Sequence, residues 1–180
     1  MTLTMRRALL FLDVDGPLIP FGGTGYRQGP APQGNECDPG GDFPGSNPLL
    51  ARLDPGHGAR LTALGCDLVW ATTWMGDANE YVAPRIGLPV LPVVAWSDPA
   101  EEDERADEDE RAGLHWKTRA LVGWAAGRPF LWVDDEITPA DRAWVAAHHP
   151  APALLHRVDP RTGLTDRDFA ALARWLRDHQ

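Results

Sequence analysis

The sequence predicts an α/β fold in which a parallel sheet carries helices on both faces. Short apolar runs without polar alternation indicate strands that are buried on both sides. These runs alternate along the chain with segments that are typical of helices. Polar residues follow the apolar runs directly, at the strand ends where open α/β sheets bind their ligands. The fold class therefore also predicts where the functional site lies.

The first strand, Ala8 to Leu12, ends at two carboxylates, Asp13 and Asp15. Side chains at positions i and i+2 share a face, so both carboxylates can approach one ligand or metal ion. Gly16 then allows the chain to turn away sharply. We expect these residues to lie at the carboxyl edge of the sheet.

A loop-rich insertion, residues 17–48, follows the carboxylate pair and is rich in glycine and proline. A connection this long in a compact domain is usually a lid, a binding loop or disordered. We expect it to lie over the site, with Tyr26 and Arg27 as candidate substrate contacts. The alternative is a solvated loop in which the arginine is incidental.

The middle of the chain predicts two helices and two strands. The predicted elements are a helix from Asn47 to Leu64 interrupted at Pro55-Gly56, a strand from Cys66 to Thr73, a helix from Asp77 to Ile86 and a strand from Val90 to Trp96. Pro92 has no N–H to donate, which favours an edge position for the last of these strands.

The second half of the chain repeats the alternation of helix and strand. The predicted elements are a helix from His115 to Ala126, a strand from Phe130 to Val133, a helix from Pro139 to His148, a strand from Ala153 to Val158 and a helix from Asp166 to Asp178. Thr138 and Thr165 are the expected N-caps of the last two helices. Lys117 lies in a first helical turn, and Asp134 and Asp135 follow a buried strand.

The acidic charge is concentrated in a connector, residues 97–113. Nine of the 26 acidic residues and only two of the 17 basic residues lie between positions 98 and 111, so the rest of the chain is nearly neutral despite a net charge of −9. Nothing in this distribution resembles the basic face of a nucleic-acid-binding protein. We expect the connector to be a solvated segment or a mobile flap.

Length and cysteine content predict a single cytoplasmic domain that covers residues 1–180. A chain of 180 residues is long enough for one substantial core. Cys37 and Cys66 do not form a disulfide framework, which fits a reducing compartment. The apolar stretch that ends at Leu12 is too short for a signal peptide, and no segment is long enough to span a membrane.

Groups from four elements are predicted to meet at the carboxyl edge: Asp13 and Asp15, Thr72, Lys117, and Asp134 with Asp135. Clustered carboxylates raise one another's pKa unless a cation lies among them. Oxygen ligands without histidine or cysteine suit Mg²⁺, which also binds phosphate oxygens. A threonine hydroxyl and a lysine ammonium group are donors to a phosphoryl group. One aspartate can then act as a nucleophile and the second as general acid and base.

These motifs, in this order, resemble the four motifs of the haloacid dehalogenase-like (HAD) hydrolase superfamily, which has a three-layer Rossmann-like core. The resemblance implies that Asp13 is the nucleophile and Asp15 the general acid and base of a phosphatase. It also implies that Thr72 and Lys117 bind the phosphoryl group. Mg²⁺ would be held by Asp13, the main-chain carbonyl of Asp15 and one acid of the last motif.

The stretch from Leu68 to Trp74 also resembles a bacterial subgroup related to HAD modules found in RNA-repair proteins. The sequence departs from the common superfamily pattern at Pro17, where a small hydroxyl residue is frequent, and at Thr73, where glycine is frequent. Thr73 is therefore an alternative to Thr72 as the phosphate-binding residue. Either Asp134 or Asp135 could be the main metal ligand.

The insertions predict a capless or minimally capped enzyme. By analogy, an open site suits a larger phosphorylated substrate, or an oligomer partner covers the site. The near-neutral body does not indicate nucleic acid, although a polynucleotide end stays open as a substrate. Trp74 is a candidate for stacking on a substrate ring, with plain packing as the alternative.

Two other functions fit the same residues. A phosphotransferase would use the same aspartyl-phosphate and pass the phosphoryl group to an acceptor other than water. A non-catalytic relative would bind a partner through its acidic run, but the intact Asp13, Asp15 and Lys117 argue against it. The order of the motifs disfavours a response-regulator receiver, which needs its phosphorylated aspartate on a middle strand.

Overall fold

A computed structural model describes residues 7–21, 48–96, 109 and 111–179. Most of the insertion 17–48 and of the acidic connector 97–113 lies outside the described residues, as do Tyr26 and Arg27. None of the helices in the described part of the chain has the length and apolarity needed to cross a bilayer.

Four parallel strands form the sheet in the order β2-β1-β3-β4. The strands are β1 (Leu9–Leu12), β2 (Asp67–Trp70), β3 (Phe130–Asp134) and β4 (Ala153–Arg157). In the central pair, Leu12 of β1 lies opposite Val133 of β3. Every residue of β1 and β3 is buried, as predicted from their uninterrupted apolar sequences.

Helices cover both faces of the sheet. The α-helices that lie wholly within the continuous described ranges are α1 (His57–Ala63), α2 (Ala83–Ile86), α3 (Thr118–Ala125), α4 (Pro139–His148) and α5 (Asp166–His179). A 3-10 helix at Pro48–Arg52 precedes α1, and a π-helical turn at Ala78–Val82 precedes α2. The three-layer α/β fold predicted from the sequence is confirmed.

Alternate side chains of β1 enter two separate hydrophobic clusters. Leu10 and Leu12 pack on the face covered by α1, α2 and α5, with Leu61, Ile86 and Leu172 among their neighbours. Leu9 and Phe11 pack on the opposite face, where α3 and α4 contribute Leu121 and Val145. The central strand therefore ties both layers of helices to the sheet.

The predicted strand from Val90 to Trp96 is wrong, because this segment makes only an isolated parallel bridge between Val93 and Trp70. Pro92 and Pro89 have no N–H for a ladder. The side chain of Asn79 takes the place of a strand partner: its oxygen accepts from Leu91 N at 2.9 Å and its amide donates to Leu91 O at 2.8 Å. The edge position predicted from Pro92 is correct.

Two helices begin differently from the prediction. The helix predicted from His115 begins only at Thr118, because the N–H groups of His115 and Lys117 donate to side chains instead. The helix predicted from Asp77 to Ile86 begins as the π-helical turn. Both differences are local and leave the order of the elements unchanged.

Candidate active site

Asp13 follows β1 directly at the carboxyl edge of the sheet, and its side chain is buried. Its backbone N–H donates to Val133 O at 3.1 Å, which continues the pairing of β1 with β3. The carboxylate accepts from Val14 N at 2.8 Å on Oδ1 and from Lys117 Nζ at 2.7 Å on Oδ2. Both oxygens are thus oriented by the protein.

Burial raises the pKa of Asp13 to about 7, because the charged form loses its hydration. The ammonium group of Lys117 opposes this rise, and the nearby carboxylate of Asp134 adds to it. A bound cation would relieve the cost of gathering these negative charges.

Lys117 is the cation of the site and bridges two carboxylates. Its Nζ donates to Asp13 Oδ2 at 2.7 Å and to Asp134 Oδ2 at 2.8 Å, with only 3% of the lysine side chain exposed. Burial alone would lower its pKa, but Asp13 and Asp134 outweigh that effect and raise the pKa of Lys117 above its usual value. Lys117 therefore stays charged within the site.

The two acids that close β3 have different surroundings. The carboxylate of Asp134 is fully buried and accepts from three donors, Lys117 Nζ, Trp132 Nε1 at 3.2 Å and Glu136 N at 2.9 Å. Asp135 is 8% exposed, and burial raises the pKa of its carboxyl, with a further contribution from Asp134. Asp134 is thus held by the protein, whereas Asp135 faces the turn at Gly16.

Asp13, Asp134 and Asp135 can each place one carboxylate oxygen within 4.8 Å of the others. Oxygen donors of this kind, without a sulfur ligand, fit a small hard cation such as Mg²⁺. The donor set and the raised pKa of Asp13 are both consistent with a site built around a cation.

Asp15 lies apart from this cluster and is partly exposed. Its Oδ2 accepts from the indole Nε1 of Trp74 at 2.9 Å. The side chains of Asp13 and Asp15 therefore have different partners. Only the carboxylate of Asp13 belongs to the cluster with Asp134 and Asp135. The main-chain carbonyl of Asp15, rather than its side chain, was the predicted ligand.

The two threonines after β2 differ in burial, because Thr72 is fully buried and Thr73 is exposed. Thr72 Oγ1 accepts from Trp74 N at 3.3 Å, and Thr72 O accepts from Trp96 Nε1 at 3.1 Å. Thr72 is thus fixed at the carboxyl edge, beside β1, where the sequence placed it.

A sequence model of one protein family, described as the HAD domain in Swiss Army Knife RNA repair proteins, matches residues 9–169. The match covers all four strands and every residue of the candidate site from Asp13 to Asp135. The chain belongs to this HAD family. No curated protein and no solved structure shows significant similarity to the chain.

Membership in the HAD family supports an enzyme of the hydrolase or phosphotransferase type. HAD proteins generally use Mg²⁺, which agrees with the carboxylate cluster of this HAD domain. The family resemblance inferred from the sequence motifs is confirmed.

Asp141, which the sequence did not single out, fixes the turn that contains Lys117. Asp141 of α4 is completely buried, and its Oδ1 accepts from His115 N at 2.8 Å and from Thr118 Oγ1 at 2.6 Å. Its Oδ2 accepts from Thr138 N and Oγ1, which completes a capping box at the start of α4. The sequence pattern of Thr138 at the N-cap and Asp141 at N3 predicts the capping box. It does not predict that Asp141 also accepts from His115 and Thr118.

His115 can also approach Asp134 and Glu136 closely enough to form a second group of metal-type ligands. However, its Nδ1 accepts from Lys117 N at 3.2 Å, and its Nε2 lies 3.0 Å from Glu136 Oε2. A neutral imidazole that accepts at Nδ1 carries its proton at Nε2 and donates it to Glu136. His115 therefore supports the Lys117 turn and has no lone pair left for a metal.

Proposed function

We propose that the HAD domain is a Mg²⁺-dependent phosphohydrolase that forms an aspartyl-phosphate on Asp13. One observation carries the proposal: a buried carboxylate, oriented by Val14 N and Lys117 Nζ, lies beside further acids at the edge of the sheet. A purely structural ion pair would not need a third carboxylate beside the two that Lys117 bridges.

Asp13 is the proposed nucleophile. One of its carboxylate oxygens forms a bond to phosphorus, and the bond from phosphorus to the ester oxygen breaks with its electron pair on that oxygen. Lys117 holds Asp13 in its attacking position and offsets the charge of the incoming phosphoryl group. The Thr72 hydroxyl, at the neighbouring strand end, is the proposed second donor to the phosphoryl oxygens.

Asp15 is the proposed general acid and base. Because the Trp74 indole can only donate, Asp15 Oδ2 must accept, so a proton on this carboxyl belongs on Oδ1. That proton passes to the leaving oxygen. The resulting carboxylate then takes a proton from water, the water oxygen bonds to phosphorus, and the bond to Asp13 breaks to release phosphate.

The proposed Mg²⁺ ligands are the carboxylates of Asp13 and Asp135 and the main-chain carbonyl of Asp15. Asp135 is favoured over Asp134 because Asp134 already accepts from three protein donors. When bound, Mg²⁺ supplies positive charge that neutralises the phosphate oxygens and the carboxylates. Asp134 is then a positioning residue that holds Lys117.

The proposed substrate is a phosphate monoester, and the family description makes phosphorylated nucleic-acid ends the first class to test. We further propose that residues 1–180 fold as one HAD domain and that the protein is cytoplasmic, because its two cysteines form no disulfide framework. Contacts of Tyr26, Arg27 and Trp74 with the substrate stay predictions.

The test is release of phosphate from a generic aryl phosphate, with and without Mg²⁺. We expect Mg²⁺-dependent turnover that Asp13→Asn abolishes. Asp67→Asn is the matched control, because Asp67 begins β2 at the opposite edge of the sheet and pairs with Arg128. Turnover that survives Asp13→Asn would overturn the mechanism, and transfer to an added alcohol in place of water would indicate the phosphotransferase.

A further inference from the structure

A half-exposed tryptophan, Trp116, and a partly buried one, Trp96, form an aromatic surface beside the candidate site. Trp116 is 48% exposed, although large apolar side chains are usually covered. Its ring lies 4.7 Å from that of Trp96 in an edge arrangement at 72°, and 5.6 Å from the His115 ring at 29°. We call Trp96 and Trp116 the aromatic platform.

The platform is attached to the catalytic elements on both sides. Trp96 Nε1 donates to the carbonyl of Thr72, the proposed phosphate-binding residue. Trp116 directly precedes Lys117, and its ring centroid lies 5.5 Å from Lys117 Nζ. The same Nζ is 2.7 Å from Asp13 Oδ2, so a ring stacked on Trp116 and a phosphoryl group at Asp13 can belong to one ligand.

The ring contacts hold the platform in place before any ligand arrives. His115 is bonded at both ring nitrogens, to Lys117 N and to Glu136, and its ring also contacts Trp132 at 5.6 Å. A rigid aromatic surface loses little conformational entropy on binding, so stacking on it can contribute fully to affinity. About half of the Trp116 side chain is accessible to a ligand.

We propose that the aromatic platform stacks on the base of a phosphorylated nucleotide whose phosphate is bound at Asp13. This inference rests on the proposed phosphohydrolase function and names its substrate class. Unlike nucleotides, sugar phosphates and phosphoserine have no aromatic ring to stack on a tryptophan. A base stacked on an aromatic side chain typically strengthens binding on the order of ten- to a hundredfold.

Charge supports recognition of one nucleotide rather than a long backbone. Outside its acidic run the chain is nearly neutral, so it has no excess of cations to follow many phosphates. The nucleotide can be free or can form the end of a strand. Binding of either should therefore depend only weakly on salt.

The experiment compares kcat/KM of Trp116→Ala with that of the intact chain on three kinds of probe. The probes are adenosine monophosphates, short oligoribonucleotides with a 5′- or 3′-terminal phosphate, and glycerol phosphate. We expect about a tenfold loss on the nucleotide probes, less than twofold on glycerol phosphate, and substantial retention in Trp116→Phe. The ratio of kcat/KM for oligonucleotides to kcat/KM for mononucleotides shows whether the site prefers the end of a strand or a free nucleotide.

Trp124→Ala is the matched control. Trp124 is 37% exposed and makes one edge contact with Phe11, but it lines a cavity with Leu9 and Asp67 at the amino edge of the sheet. We expect its kinetics to match those of the intact chain. Equal losses on glycerol phosphate and nucleotides in Trp116→Ala, or no loss on any nucleotide, would overturn the proposal.

Failure of the proposed function has a different signature. If the intact chain hydrolyses none of the probes, the phosphohydrolase proposal fails, and equilibrium binding of a labelled terminally phosphorylated oligoribonucleotide then decides the stacking. Weaker binding by Trp116→Ala, with unchanged binding by Trp124→Ala, supports the platform. Equal binding by both variants, or none by the intact chain, overturns it.

Discussion

Gly16 shows how one residue without a side chain shapes the site. Its φ of +84° lies in the left-handed region, which side chains other than glycine disfavour. A Cβ at this position would lie 2.5 Å from Asp135 Cγ. Gly16 is therefore needed both for the turn after Asp15 and for the close approach of Asp135.

Replacing Gly16 by alanine should damage function more than stability. We expect Gly16→Ala to cost about 1–2 kcal/mol of the free energy of unfolding from backbone strain, and to displace Asp135 and weaken Mg²⁺-dependent turnover. Gly65→Ala is the control, because Gly65 has a φ of +71° but no atom within 4 Å of its Cβ position. Urea unfolding and turnover measure both effects, and full activity in Gly16→Ala would contradict the assigned role of Asp135.

Cys66 should be chemically inert in the folded protein. Burial raises the pKa of its thiol to about 12, so very little thiolate forms near neutral pH. In a Cys37→Ser background, iodoacetamide at pH 8 should modify Cys66 on the order of a hundredfold more slowly in the native state than in urea. Equal rates in both states would show that the thiol is accessible and ionisable.

At the scale of elements, Asp141 joins two helices through one carboxylate. One oxygen completes the capping box of α4, and the other fixes the turn that precedes α3. Because Lys117 lies in that turn, the position of its ammonium group depends on a residue of the next helix. This arrangement explains why a charged side chain is fully buried away from the cluster.

Asp141→Ala should therefore destabilise the fold and slow the reaction. Loss of the carboxylate leaves several buried donors without a partner, which we expect to cost about 3 kcal/mol in the free energy of unfolding. Misplacement of Lys117 should lower kcat by at least about tenfold at a temperature where the variant is folded by circular dichroism.

Asp168→Ala provides the comparison for Asp141. Asp168 accepts from Thr165 N and Oγ1 at the start of α5 and contacts His156, but it supports no residue of the site. We expect a loss of about 1 kcal/mol in stability and unchanged kcat. A similar fall in kcat for both variants would show that general destabilisation, not the position of Lys117, limits the rate.

At the scale of the whole molecule, the site lies at the point in the sheet where the strand order reverses, between β1 and β3. From β1 the chain adds β2 on one side, and then returns to add β3 and β4 on the other. Ligands bind in the crevice that such a reversal opens at the carboxyl ends of the strands. Asp13 and Asp134 meet there because β1 and β3 are hydrogen-bonded neighbours.

Because the proposed ligands lie at the ends of two separate strands, β1 and β3, Mg²⁺ should stabilise the whole fold. A ligand that binds only the native state raises stability by about 2.7 kcal/mol at a hundredfold excess over Kd. We expect saturating Mg²⁺ to raise Tm in the intact chain and in Asp67→Asn, and to have little effect in Asp135→Asn. A shift of equal size in Asp135→Asn would move the ion away from the proposed cluster.

The sequence by itself determined the fold class, the four strands of the sheet and the polar groups that lie at their carboxyl ends. Buried strands carry uninterrupted apolar runs, and in a parallel sheet their ends must meet at one edge. That rule placed Asp13, Thr72 and Asp134 at one edge, and the predicted helix start after the acidic connector placed Lys117 there. Local signals such as prolines also predicted the edge position of the Val90–Trp96 segment.

Only the tertiary structure decided which partner each group takes. The link from Asn79 to Leu91, the Trp74 bond to Asp15 and the double role of Asp141 join residues that local sequence patterns do not connect. The different surroundings of Asp134 and Asp135 likewise depend on side chains that arrive from other elements. Periodicity and propensity describe neighbours along the chain, whereas these contacts arise from the way the layers pack.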